Sequence, residues 1–170
     1  MTGVQTCVFR SLFTAPDQSL ESAQTAKYDA LCRKLRLVPT DHVLEIGSGW
    51  GGFACHVVRH YGCRVTTVTI STEQFHFAKE RFKREGVAAR VDIQLEDYRN
   101  ITGQFDKVAS IEMMEALGDR YLETYFATIH SLLKPDGLVG VQYITVPDSR
   151  HAELKRGVDW IQKQIGRAHV

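Results

Sequence analysis

The chain has 170 residues, 44% of them hydrophobic and 24% charged, with a mass of 19.2 kDa and a mean hydropathy of −0.21. That is one domain's worth of ordinary globular composition, and it excludes a disordered tail, a coiled coil and a spanning helix, which needs about 18 continuous apolar residues. Lys and Arg number 21 against 20 Asp and Glu, a net charge of +1, so no basic excess marks a nucleic-acid partner. Cys7, Cys32, Cys55 and Cys63 form no C-x-x-C pair and no metal cluster with histidine, the usage expected of free thiols in a reducing cytosol.

The two ends differ from the rest. Residues 1–7 and 165–170 resemble translated sequencing-library adapters. This predicts foreign residues at 1–11 and 166–170 around a partial domain over 12–165, with a native protein that is longer in both directions. The N-terminus has no basic segment followed by an apolar one, so no secretory signal is read and a cytoplasmic location is expected.

Ser19 to Leu37 reads as a helix with Ala23, Ala26, Leu31 and Leu35 facing inward. Val43 to Ile46 is a short buried strand, followed by a glycine loop and a helix from Gly52 to Tyr61. Arg64 to Ile70 is β-branched and reads as a strand. Ser71 opens a helix to about Glu85, and Ser71 with Gln74 fits a capping box. Val91 to Leu95 and Phe105 to Ile111 are further strands. Asp119 to Leu133 is an amphipathic helix with Leu122, Tyr125, Phe126, Ile129 and Leu133 on one face. Lys134 to Gly137 is a turn and Leu138 to Val146 a fifth strand. Strands alternating with helices predict an α/β fold, a doubly wound, mostly parallel sheet that binds its ligand outside the carboxyl ends of the strands.

The loop Val43-Leu-Glu-Ile-Gly-Ser-Gly-Trp-Gly-Gly52 lies between a strand and a helix. Gly47, Gly49 and Gly52 satisfy the dinucleotide pattern G-x-G-x-x-G, a weak signal alone. Glu45, two residues before the first glycine, discriminates. A carboxylate there repels a pyrophosphate and suits a ligand with a cationic amino group; its alternative use is to bond the loop's own amides.

Glu45 with Gly47, Ser48, Gly49, Trp50 and Gly51 resembles the cofactor loop of S-adenosylmethionine-dependent methyltransferases. The second strand ends in Thr69-Ile-Ser-Thr-Glu-Gln74 where an acidic residue is usual. Together with Gly-Trp-Gly-Gly this resembles the cyclopropane-fatty-acyl-phospholipid synthase family, over about Leu12 to Ile165. The resemblance implies a Rossmann-like methyltransferase fold with five strands present here and the C-terminal strands missing. It implies S-adenosylmethionine as cofactor, held also by Thr69, Gln74, Asp97, Tyr98 and Ile111. Gln74 is also explained by the capping box, and Asp97 and Tyr98 by turn chemistry and core packing.

In Ser110-Ile-Glu-Met-Met-Glu-Ala-Leu-Gly118, Glu115 falls on the family's catalytic glutamate, while Ala116 stands where the family has histidine. Gln142 also stands where some members have histidine. The resemblance implies that Glu115 and Gln142 are catalytic, that Glu115 helps hold a bicarbonate ion, and that the acceptor is an unsaturated phospholipid acyl chain. The two departures weigh more against ring formation than against methyl transfer, so alkene methylation or small-molecule methylation stays open. An NAD-dependent oxidoreductase is the reading from another class. Ser149 to Ile165 carries Leu154, Val158, Ile161 and Ile165 at helical spacing beside Lys155, Arg156 and Lys163. It reads as a helix packed on the core or one that touches the inner membrane face transiently. The sequence leaves the oligomeric state open.

Overall fold

The computed structural model describes residues 11–15, 17–145 and 149. The segments expected to be foreign, apart from Ser11, and the expected helix over 149–165, apart from Ser149, lie outside them. Five parallel strands form one sheet in the order β3-β2-β1-β4-β5, the doubly wound arrangement expected. The strands are β1 (His42–Ile46), β2 (Arg64–Thr69), β3 (Val91–Leu95), β4 (Phe105–Ile111) and β5 (Leu133–Gln142). The helices are α1 (Leu20–Lys34), α2 (Gly52–Tyr61), α3 (Thr72–Arg84) and α4 (Leu122–Leu132).

Side-chain alternation along the central strand builds two cores. Val43 on β1 joins Val65, Ala109, Leu31, Leu35, Phe53, Val57 and Phe82 on the face covered by α1, α2 and α3. Leu44 and Ile46 join Val68, Val108, Tyr98, Tyr125 and Ile129 on the other. The chain builds β1 to β3 outward on one side, then returns to place β4 on the other side of β1. The carboxyl ends of β1 and β4 therefore flank the switch point, where such sheets open a crevice.

Local chemistry explains the element ends. Ser19 caps α1, its side chain accepting from the Ser22 amide at 3.2 Å. The helix stops three residues before Leu37, because Arg36 turns left-handed at φ 53°. The Leu37 amide then bonds the Cys32 carbonyl at 3.2 Å and the Arg36 amide that of Arg33 at 3.0 Å, a Schellman closure that buries Leu37. At α3 only half of the expected capping box forms. Ser71 Oγ accepts from the Gln74 amide at 3.3 Å, but Gln74 Oε1 accepts from the Thr69 hydroxyl at 2.9 Å. The Ser71 amide, which Gln74 would have bonded, donates to Thr69 Oγ1 at 3.1 Å instead.

Two other expectations are corrected. Phe126 is 44% exposed, set edge-on to buried Tyr125 at 5.3 Å, because it falls just off the stripe formed by Tyr125, Ile129 and Leu132. Lys134 to Gly137 does not precede the last strand. It is looped out within β5, where pairing jumps from Phe105–Leu133 to Lys107–Leu138 and Asp136 adopts φ 65°. The strand ends at Gln142 rather than Val146, and residue 146 itself lies outside the described residues.

Gly51 opens α2 at φ 80°, and a Cβ there would lie 2.8 Å from the buried Phe82 ring. Gly51→Ala should therefore lower unfolding free energy by about 2–4 kcal/mol, from left-handed strain plus overpacking. Urea denaturation beside the parent protein measures this; an unchanged midpoint would contradict it.

Candidate functional site

Glu45 sits at the centre of the sheet, paired in register with Thr67 on β2 and Ala109 on β4. It is 2% exposed. Thr67 Oγ1 donates to its Oε2 at 2.6 Å, and among the described residues no cation pairs with it. Burial pushes the carboxyl up to about 8, with the Thr67 hydrogen bond pulling the other way. A carboxylate in this position is costly until a cation reaches it.

A cavity of about 340 Å3 opens beside it, lined by Glu45, Gly47, Ser48, Gly49, Trp50 and Ile111, and also by Gln24, Lys27, Tyr28, Arg81 and Glu112. The loop over it is pinned from within. The Gly47 and Ser48 amides both donate to the Val68 carbonyl, at 3.0 and 2.9 Å, and the Gly51 amide to Ser48 at 2.9 Å. These donors are spent and do not form a phosphate cradle. Gly47 and Gly49 hold φ 93° and 47°, conformations glycine adopts without strain. Ser48 is buried and donates to the Gly49 carbonyl at 3.1 Å. Trp50 is 54% exposed and meets Phe77 edge-on at 5.1 Å.

The remaining expected cofactor residues lie apart from this lining. Thr69 and Gln74 are bonded to each other at the end of β2. Asp97 is clamped by Arg99, whose Nη2 and Nε lie 2.6 and 2.9 Å from its two oxygens. That pairing, with the Arg99 amide, holds its carboxyl below the usual range against the effect of burial. Tyr98 is buried in the opposite core, 5.5 Å from the Tyr125 ring. Gly51 faces Phe82 and Ala78.

Glu115 and Gln142 come together on a second cavity of about 500 Å3, with Leu12, Leu31, Val141 and Ile144 among its apolar walls. Glu115 Oε1 accepts from the Ile144 amide at 3.1 Å. Its Oε2 is buried with no partner among the described residues. Lys27 and Glu112 line both cavities. Their side chains meet at 3.5 Å, and Gln142 Nε2 donates to the same Glu112 oxygen at 3.2 Å. Glu112 holds φ 57° at the carboxyl edge of β4, the kind of strain that a site retains.

Lys27 and Glu112 were not among the residues singled out from the sequence, although each carried a signal. Lys27 lies midway between the buried Ala23 and Leu31 of α1, a charge on an apolar stripe. Glu112 directly follows a strand at the end where ligands bind.

Comparison with known proteins identifies the family. The family profile for mycolic acid cyclopropane synthetase matches residues 4–166. The chain belongs to that family. It is 38% identical over 161 residues to the tuberculostearic acid methyltransferase UfaA1 of Mycobacterium tuberculosis, covering 93% of this chain and 38% of that protein. It is 43% identical over 148 residues to the cyclopropane-fatty-acyl-phospholipid synthase of Escherichia coli K12, covering 86% of this chain and 36% of that protein. The solved mycolic acid cyclopropane synthase CmaA1, complexed with SAH and CTAB, superposes with a TM-score of 0.78 at 25% identity over 92% of this chain and 54% of that one. The chain thus spans well under half the length of these two curated relatives. The Rossmann-like methyltransferase fold expected from the sequence is the one observed.

Glu45 predicts an unusual pH dependence. With its folded value near 8 against an ordinary 4.5, the folded state holds an extra proton between those limits, so stability falls as pH rises through them. Buried His56, pushed down to about 4 from 6.5, gives the opposite slope below about 6.5. Between pH 6.5 and 8 the protein should lose about 1 kcal/mol per pH unit, with the slope flattening toward pH 8, and Glu45→Gln should remove that slope. Denaturant titrations at pH 6.5, 7.2 and 8 on both proteins measure it; parallel slopes would refute the assignment.

Proposed function

We propose that this chain carries the cofactor site of an S-adenosylmethionine-dependent methyltransferase whose acceptor is the double bond of an unsaturated phospholipid acyl chain. The observation that supports this best is Glu45, a buried carboxylate beside the glycine loop whose bonded partner is a neutral hydroxyl. It calls for a cationic amino group. The spent amides of Gly47 and Ser48 and the carboxyl of Glu45 at the cavity wall disfavour the pyrophosphate that an NAD-dependent oxidoreductase would place here.

The residues present fit the cofactor. Glu45 accepts from the ammonium of its amino-acid end, and Gly47 to Gly49 let it approach the backbone. Ile111 closes the cavity at β4. The Thr69–Gln74 pair meets the ribose, and Asp97 accepts from the adenine amino group while Arg99 fixes its orientation. Tyr98 supports that turn from the core. When bound, S-adenosylmethionine supplies an electrophilic methyl group on a sulfonium.

An alkene is a weak nucleophile, and the cation that its attack leaves on the acyl chain has to lose a proton. That requires a dry space with a base. The 500 Å3 cavity provides apolar walls with Glu115 and Gln142 among them. Bicarbonate fits there as a base, since its hydroxyl can donate to Glu115 Oε2, which has no partner among the described residues, and the ammonium group of Lys34 offsets its charge. A second reading is methylation without ring closure. Ala116, where the family usually has histidine, and Gln142, where some members have it, favour it, as does the similarity to UfaA1. Either acceptor places the protein at the inner membrane face, with transient contact to lipid; among the described residues no helix is long and apolar enough to cross a membrane.

Calorimetry with S-adenosylhomocysteine should show binding that releases close to one proton at pH 7, because Glu45 must ionise to meet the ammonium. Affinity should rise up to about tenfold per pH unit toward pH 8, and Glu45→Ala should weaken it by at least about tenfold. Binding of NAD in place of S-adenosylhomocysteine would overturn the reading. For the reaction, the full-length gene product is incubated with labelled donor and unsaturated phospholipid. A cyclopropane supports the first acceptor chemistry and a branched or methylene product the second.

A further inference from the structure

Lys27 is a cation in a place where burial is expensive. It lies on the sheet-facing stripe of α1, and its side chain is 11% exposed. An ammonium has three donors. Glu112 Oε1 lies 3.5 Å away, longer than the roughly 2.7–3.2 Å of a well-formed N–H···O bond, and Gln142 already donates to the same oxygen. The Tyr28 ring adds a face 5.1 Å from the nitrogen. Among the described residues this leaves Lys27 donor capacity at the lining of the cavity.

The same 340 Å3 cavity contains Glu45. Arg81 in the same lining is already paired with Glu85 at 2.7 Å, so the cavity offers a ligand one buried carboxyl that ionises against a cation and one nearly buried ammonium, the complement of a zwitterion. We propose that Lys27 binds the carboxylate of the cofactor's amino-acid head, opposite the ammonium held by Glu45, and that Glu112 is the provisional counter-ion from which the ligand takes Lys27. This rests on assigning the cavity to S-adenosylmethionine. An anion in the 500 Å3 cavity is the weaker candidate for Lys27, because Lys34 already lines that cavity and can balance a charge there.

The test compares two neutral-sulfur ligands that differ only in the carboxylate, S-adenosylhomocysteine and its decarboxylated form, S-adenosyl-3-thiopropylamine. Both are titrated calorimetrically into the full chain, with circular dichroism verifying helix content. The native protein should prefer the carboxylate-bearing ligand by about 10- to 100-fold. Lys27→Gln should lose that preference while binding the amine within about twofold of native, and Lys27→Arg should keep most of it. Glu112→Gln should tighten S-adenosylhomocysteine several-fold by freeing Lys27. A purely structural ion pair would make both Gln variants weaken binding alike, and that result overturns the proposal. So does native-like S-adenosylhomocysteine binding by Lys27→Gln, including the case in which that variant loses only a response to added bicarbonate. No binding of either ligand to the native protein would remove the cofactor assignment itself, and this inference with it.

Discussion

The site is organised around a carboxyl group that, among the described residues, is buried without a positive partner. Glu45 stands on the central strand, between β2 and β4, almost wholly buried at the wall of the 340 Å3 cavity. One hydrogen bond from Thr67 recovers only part of the lost hydration. The strand order makes this arrangement productive, since it opens the crevice at the carboxyl ends of β1 and β4, beside the carboxylate. Selectivity then follows from electrostatics more than shape: Glu45 ionises only where a cationic group can meet it, and an anionic group placed against it is disfavoured. Such a site is destabilising when empty, a common exchange of stability for function.

The glycine loop complements this charge by what it withholds. A loop of similar sequence can direct its amides outward at phosphate oxygens. Here Val68 accepts two of them and Ser48 a third, so the loop serves as a thin, inward-bonded wall. Its glycines supply conformation and closeness of approach rather than donors. The amino-acid pattern is shared between two ligand classes, and the direction of the N–H groups separates them.

Much of this was legible in the sequence because it depended on local rules. The β-branched run of β2, the glycine loop, the Ser71 cap and the strand–helix alternation each set an element nearly where it lies. Glu45 was legible because a carboxylate beside a glycine turn is chemically conspicuous. Other features depend on what packs against them. Whether Gln74 bonds the helix amide or Thr69 is decided by where β2 ends. Phe126 falls outside the core because the stripe of α4 is narrower than its apolar residues suggest. The loop within β5 looked like a connection, since its residues favour turns whether or not a strand continues beyond them. Lys27 and Glu112 come from segments 85 residues apart, and only the fold shows that they meet. Asp97 and Tyr98 are neighbours in sequence, yet one holds a surface ion pair and the other lies in the core.

Lys27 and Glu112 form a wall common to both cavities, and a shared wall makes the two compartments thermodynamically dependent. A molecule that draws Lys27 toward one side uncovers the charge of Glu112 on the other. It thereby alters the field that a second molecule meets, with no movement of the sheet. Such influence is mutual by necessity: whatever the first occupant does to the affinity of the second, the second does equally to the first. Cooperation between two ligands can thus arise from a single pair of side chains.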